Sequence, residues 1–181
     1  VRRVGKKALL AEIGPVVAAW ASLIAAKPAP LPKNASWASA KRRIETSMKR
    51  HLARQDVTLW PVPADTYAHG EYQFEPIRNT LSAFEAGLAL HNCLVATTCF
   101  KCSEIKGLPH YLLRHEGKPV GVLRLDLRGR PSNLLGFGNR PAPTHWWHMA
   151  ESFALRLRER YPDGIVHDIP EVKPRLFCLT P

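Results

Sequence analysis

"YLLRHEGKPVGVLRL", residues 111–125, is the stretch that decides the fold. Two β-rich runs flank Glu116-Gly117-Lys118, three to four turn residues with a glycine among them, which is the pattern of a β-hairpin. Working outward, "RGRP" (128–131) makes a second turn and "SNLLGFGN" (132–139) a third strand or bulged edge. "THWWHMAESFALRLRERY" (144–161) then reads as the strongest helix of the chain. Thr144 is its expected cap, Trp147, Ala150, Phe153, Ala154 and Leu157 recur at helical spacing, and Pro162 stands just past its end. Upstream, "PADTYAHGEYQ" (63–73) reads as a loop, "FEPIRN" (74–79) as extended and "DVTLWPV" (56–62) as strand composition. "TLSAFEAGLALHNC" (80–93) reads as a helix capped by Thr80 or Ser82, with Leu81, Phe84, Leu88 and His91 on its apolar side. The predicted class is α+β: an N-terminal helical arm, then an antiparallel β-meander flanked by helices.

The chain has 181 residues, 45% of them hydrophobic and 23% charged, which suits a globular domain able to bury a core without a staple. Four cysteines are too few for a disulfide scaffold, and reduced thiols in a cytoplasmic setting are the expectation. The formal net charge of +11 is unevenly placed. Residues 1–54 hold 12 Lys/Arg against 2 Asp/Glu, and residues 55–181 hold 14 against 13. The organisation expected is therefore a basic helical arm over 1–54 and an α+β core over 55–181. The arm's charge would draw a polyanion such as DNA or RNA.

Within the arm, basic residues precede an apolar stretch, the outline of a signal peptide. Glu12 and the Gly14-Pro15 pair interrupt it, and Val16–Ala26 is too short to span a bilayer. A helix kinked at Pro15 is expected instead, with no membrane partner. "KPAPLPK" (27–33) is a stiff connector. A second helix, capped by Asn34 or Ser36, is predicted to run to about Arg54, with Trp37, Ala40, Ile44, Met48 and Leu52 along one side. Lys41, Arg42, Arg43, Lys49, Arg50 and Arg54 occupy the remaining sides as candidate phosphate contacts.

"FEAGLALHNCL", "KGLPHYLLRHEGKPVGVLRLDL" and "GFGNRPAP" together resemble the PcfJ-like proteins of conjugative plasmids and phages. The pieces that carry the resemblance are Glu85, Gly87, His91, Asn92, Cys93, Gly107, Gly136 and Asn139, over roughly residues 57–160. Cys99 and Cys102 fall outside that pattern. The resemblance implies a mobile-element origin and an α+β core, and implies little about chemistry.

The stretch "ALHNCLVATTCFKC" (89–102) leaves several readings open. His91, Cys93, Cys99 and Cys102, with Cys178 as a substitute, have donors of the type zinc uses, but the spacing gives no second knuckle. "CFKC" as a redox pair lacks a preceding strand and a helix cap. Cys93 as a nucleophile would need His110 as base, with Asn92 or Asn139 orienting or stabilising an oxyanion. The plainest reading is a buried helix end in which Asn92 caps the turn. No metal and no cofactor are expected. Arg140, after the glycines of "GFGNRP", is a further candidate phosphate contact. The expected function is that of a mobile-element accessory protein binding nucleic acid through its basic arm. The alternatives are a cysteine enzyme and an inhibitor that docks on a host protein.

Overall fold

The computed structural model describes residues 34–55, 66–92, 94 and 108–162. The helix expected around Pro15, the 27–33 connector, the strand expected at 56–62, "CFKC" and residues 163–181 lie outside the described residues. So do Cys93, Cys99, Cys102 and Cys178.

The described residues form an α+β unit: helix α1 (Trp37–Gln55), strands β1 (Tyr67–His69) and β2 (Tyr72–Pro76), and helix α2 (Thr80–Leu90). Strands β3 (His110–His115), β4 (Lys118–Leu125) and β5 (Pro131–Gly136) follow, then a 3₁₀ turn (Phe137–Asn139) and helix α3 (Thr144–Arg160). The five strands pair in sequence order, all antiparallel, as the meander expected from the hairpin. The turn at its centre is tighter than the sequence suggested. His115 pairs with Lys118, so Glu116 and Gly117 alone make the loop. Both have positive φ, 49° and 75°, which is the type I′ geometry whose twist suits a two-residue hairpin.

One expectation is corrected upstream. Residues 67–73 are not a loop but most of a second hairpin, with Tyr67 opposite Phe74 and His69 opposite Tyr72. Gly70, at φ 57°, makes the reversal. β1 has only three residues, too few to show an alternation in the sequence.

Register puts Tyr67, Phe74, Leu113, Gly121 and Gly136 in one row, and Tyr111, Leu123 and Leu134 in another on the same face. Helix α3 covers this face. The Phe153 ring stacks on Phe74 at 4.8 Å and 4° and meets Tyr111 edge-on at 4.7 Å, while Tyr67 closes the group at 5.3 Å. Trp146 lies over the two glycines. A Cβ on Gly121 would sit 2.9 Å from its ring and 3.0 Å from the Leu135 carbonyl, so glycine is required for the helix to come this close. Leu112, Val122 and His110, on the opposite face, are buried as well.

α2 joins two hydrophobic layers. Ala83, Ala86 and Leu90 belong to the core that includes the sheet. Phe84, fully buried, takes Ile44, Met48 and Leu52 of α1, with Leu81 and Leu88 beside them. Two caps differ from expectation. Asn79, not Thr80 or Ser82, caps α2, because its extended backbone lets its side-chain oxygen accept from the Ser82 amide at 2.7 Å. Ser82 Oγ reciprocates by accepting from the Asn79 amide at 3.2 Å, which completes a capping box. Pro143 precedes α3 and Thr144 is already helical, so that helix starts without a side-chain cap. At α1, Ser36 Oγ accepts from the Ser39 amide at 3.3 Å.

Candidate nucleic-acid interface

α1 is where the sequence concentrates charge, and its attachment decides which charges face outward. Ile44, Met48 and Leu52 recur at four-residue steps, about 40° apart around the axis, and all three are buried against α2. The opposite side carries Arg43, Arg50 and Arg54, with Arg42 and Lys49 flanking it. Arg42, Arg43, Arg50 and Arg54 are exposed and make no ion pair among the described residues. Along the axis Arg43 to Arg50 is seven residues, a rise of about 10 Å, and Arg54 lies about 6 Å further. The result is a row of guanidinium groups on a helix whose other side is held.

Two of the six candidate cations of this helix behave differently. Lys49 Nζ lies 2.8 Å from Glu85 Oε1 of α2, so it ties the helices together across their exposed margin. Lys41 precedes Met48 by seven residues, two turns, which puts it on the apolar side, where it is half-buried. Trp37, expected on the apolar stripe, is 45% exposed. It lies seven residues before Ile44, about 10 Å along the axis, and the buried contact with α2 begins only at Ile44.

Arg140 stands apart from α1 in the chain, at the end of the 3₁₀ turn, and is exposed. Its backbone closes the reversal after β5: the Gly136 amide donates to its carbonyl at 2.8 Å, and its own amide donates to the Phe137 carbonyl at 3.3 Å. Gly138 and Asn139 adopt left-handed backbone there, and Leu135 bridges Pro141. "GFGNRP" is thus a tight strand reversal.

The residues considered for cysteine chemistry are spread out. α2 ends at Leu90, and His91 follows at φ 51° and ψ 45°, its ring 4.7 Å from that of Phe137. Asn92 is buried, its amide donates to the Gly87 carbonyl at 3.1 Å, and its side-chain oxygen accepts from the Leu94 amide at 3.0 Å. Its polar group caps the chain as it leaves the helix. Cys93 itself is outside the described residues.

His110 begins β3 at the other end of the sheet, opposite Arg124, which in turn faces Asn133. Two strand spacings and three residues along β5 then separate its register position from Gly136, a backbone distance of about 14 Å before the turn to Asn139. The structure does not bring His110 and Asn139 together. Nδ1 of His110 lies 2.8 Å from the Leu108 carbonyl, which can only accept, so that nitrogen carries the proton. Burial pushes its pKa down to about 4; the Leu108 hydrogen bond opposes this and Arg124 adds to it. The imidazole is neutral at pH 7.

Among the described residues no group of three His, Cys, Asp or Glu side chains is arranged to hold a metal ion, and no helix is long and apolar enough to cross a membrane. No protein-family model, curated protein or solved structure matches the chain. The site must therefore be argued from its own charges.

Proposed function

We propose that the protein binds nucleic acid through the outer face of α1, as an accessory protein of a mobile element. The observation that carries this reading is the set of four exposed arginines, Arg42, Arg43, Arg50 and Arg54, without ion pairs among the described residues, on a helix whose apolar side is docked. Arginine's planar, permanently charged fork suits phosphate oxygens. A docked helix presents such groups with less ordering cost than a free arm. The mobile-element assignment rests on the resemblance to PcfJ-like proteins.

The test is binding of a fluorescent 20-base-pair duplex and of a single-stranded RNA of equal length, followed by anisotropy against salt. Four phosphate contacts give a log–log salt slope of about −3.6 on duplex DNA. Changing all four arginines to Gln is expected to make the slope shallower by about 3.6 while leaving the thermal unfolding curve in place. Failure of the native protein to bind either probe at low salt overturns the reading. Capture of an acidic protein in place of nucleic acid would make this face a protein-docking surface.

A further inference from the structure

The geometry points to a second phosphate-contacting surface at the β4–β5 turn end of the sheet, formed by Arg78, Arg124, Arg128 and Arg130. It rests on the reading of the protein as a nucleic-acid binder and adds a contact beyond α1.

Arg124, Arg128 and Arg130 lie within seven residues and Arg78 stands 46 residues before Arg124, among acids that bring the net charge of the C-terminal two-thirds close to zero. The meander collects them. The Ile77 amide donates to the His110 carbonyl, the Leu125 amide to the Pro109 carbonyl and the Asp126 amide to the Arg130 carbonyl, at 2.8–2.9 Å. The end of β2, the start of β3 and the β4–β5 turn therefore lie side by side. The span from β2 to β5 is three strand spacings, about 14 Å.

Arg78, Arg128 and Arg130 are exposed and Arg124 is half-buried; among the described residues none of the four makes an ion pair. The one acid in the turn is Asp126, and its Oδ1 accepts from the backbone amides of Arg128 and Arg130 at 2.9 and 2.8 Å. That carboxylate fixes the loop instead of neutralising a guanidinium. The Gly129 amide donates to the Asp126 carbonyl at 2.9 Å and Gly129 takes φ 73°, so the turn is closed by its own backbone. α2 also begins here, directly after Arg78, and its positive dipole end adds to the local potential.

The opposite end of the sheet is built the other way. There Arg114 Nε lies 2.6 Å from Glu75 Oε2 and His115 Nε2 3.1 Å from Glu71 Oε2. At that end Arg114 and His115 have acidic partners; at the turn end Arg124 Nε donates to Ser132 Oγ at 3.2 Å, and Arg78, Arg128 and Arg130 are exposed without an acidic partner among the described residues. Segregation of unpaired arginines on a closed turn is what a phosphate backbone recognises.

The experiment compares three variants of the full chain against the duplex: Arg78→Gln/Arg128→Gln/Arg130→Gln at the turn end, the four-arginine α1 variant, and Lys118→Gln at the matched end. The turn-end variant is expected to make the salt slope shallower by about 2.7, three contacts at about 0.9 each, and to weaken binding at 0.1 M salt at least tenfold. Lys118→Gln is expected to leave the slope within about 0.3 of the native value, well under one contact. If the turn-end variant binds with native slope while the α1 variant loses binding, the second surface is refuted and the α1 reading stands. If all three bind as the native protein does, both are refuted. Arg128→Glu alone, with circular dichroism beside it, covers the case of a poorly folding triple variant: native binding by that variant refutes the second surface.

Discussion

α1 and the β4–β5 turn both present unpaired arginines, but they stand on different supports. The turn is anchored in a five-stranded sheet whose face is filled by Phe74, Tyr111, Leu123, Leu134 and Phe153, all essentially without exposure. α1 is held by three side chains on Phe84, two half-buried leucines and one exposed ion pair. The difference teaches where the molecule can yield. The sheet can carry a surface of fixed shape, whereas α1 can open with a much smaller loss of buried area. It also shows that residues 1–54 cannot be removed as an inert arm, because Ile44, Met48 and Leu52 would leave Phe84 uncovered. Charge substitution is therefore a cleaner probe of α1 than truncation.

The sharpest way to break this comparison is to damage the better support. Phe153→Ala removes the ring that stacks on Phe74 and meets Tyr111 and Tyr67. Its cost is expected to be about 3–5 kcal/mol, the range for a buried aromatic truncation. Urea unfolding measures it. A loss under about 1 kcal/mol would mean the sheet face is not the main frame.

The matching change on the weaker support is Met48→Ala. Met48 is 1% exposed, yet its neighbours Leu81 and Leu88 are only half-buried and can close on the gap. An effect of about 2–3 kcal/mol follows, at the low end for a buried methionine. Hydrogen exchange should show α1 amides opening faster while those of β3 and β4 keep their protection. Equal acceleration in both regions would show that α1 and the sheet open as one unit, and the distinction between the supports would fall.

His110 gives the sheet a pH dependence of its own. Its folded-state pKa is about 4, below the ordinary 6.5. Below pH 6.5 the unfolded chain takes up a proton that the folded protein refuses, so stability falls as pH drops from about 6.5 towards 4. From pH 7.5 to 5 this amounts to about 2 kcal/mol, since each pH unit is worth about 1.4. His110→Gln, compared with the native protein by urea unfolding at both pH values, should lose about 2 kcal/mol less on acidification. An unchanged difference would place the acid sensitivity elsewhere.

The fold was legible wherever a local pattern was long enough. Glu116-Gly117-Lys118 between two β-rich runs announced the central hairpin, though not that its loop is two residues, and the spacing from Trp147 to Leu157 announced α3. The first hairpin was missed because three residues of β1 cannot display a period. Asn79 was missed as a cap because Thr80 and Ser82, both good caps in isolation, stand beside it. The site was legible only in part. The spacing of basic residues showed α1's outward charge, but not that Glu85 occupies Lys49 or that Lys41 turns inward. The second group of arginines was legible only in part: Arg124, Arg128 and Arg130 stand close together in the chain, but Arg78 comes to the same end of the sheet only when β2, β3, β4 and β5 pair. A charge count along the chain averages them away against Glu71 and Glu75, which the sheet carries to other positions.

The smallest expected effect is also the one that bears most directly on how α1 is used. The Lys49–Glu85 pair has side chains 46% and 49% exposed, so solvent screens it and its contribution to stability is at most about 0.2–1 kcal/mol. Its effect on binding is more informative. Lys49 must leave Glu85 before it can meet a phosphate, so Lys49→Gln should change the salt slope less than Arg50→Gln, a position with no partner to give up. Glu85→Gln reverses the argument: it frees Lys49 and removes a negative charge from the margin of the proposed interface. The slope on duplex DNA should then steepen by up to about 0.9, the value of one added contact, with unfolding shifted by less than about 1 kcal/mol. A Glu85→Gln variant that binds as the native protein does, or more weakly, would place the phosphate path away from the α1–α2 margin and confine it to Arg43, Arg50 and Arg54.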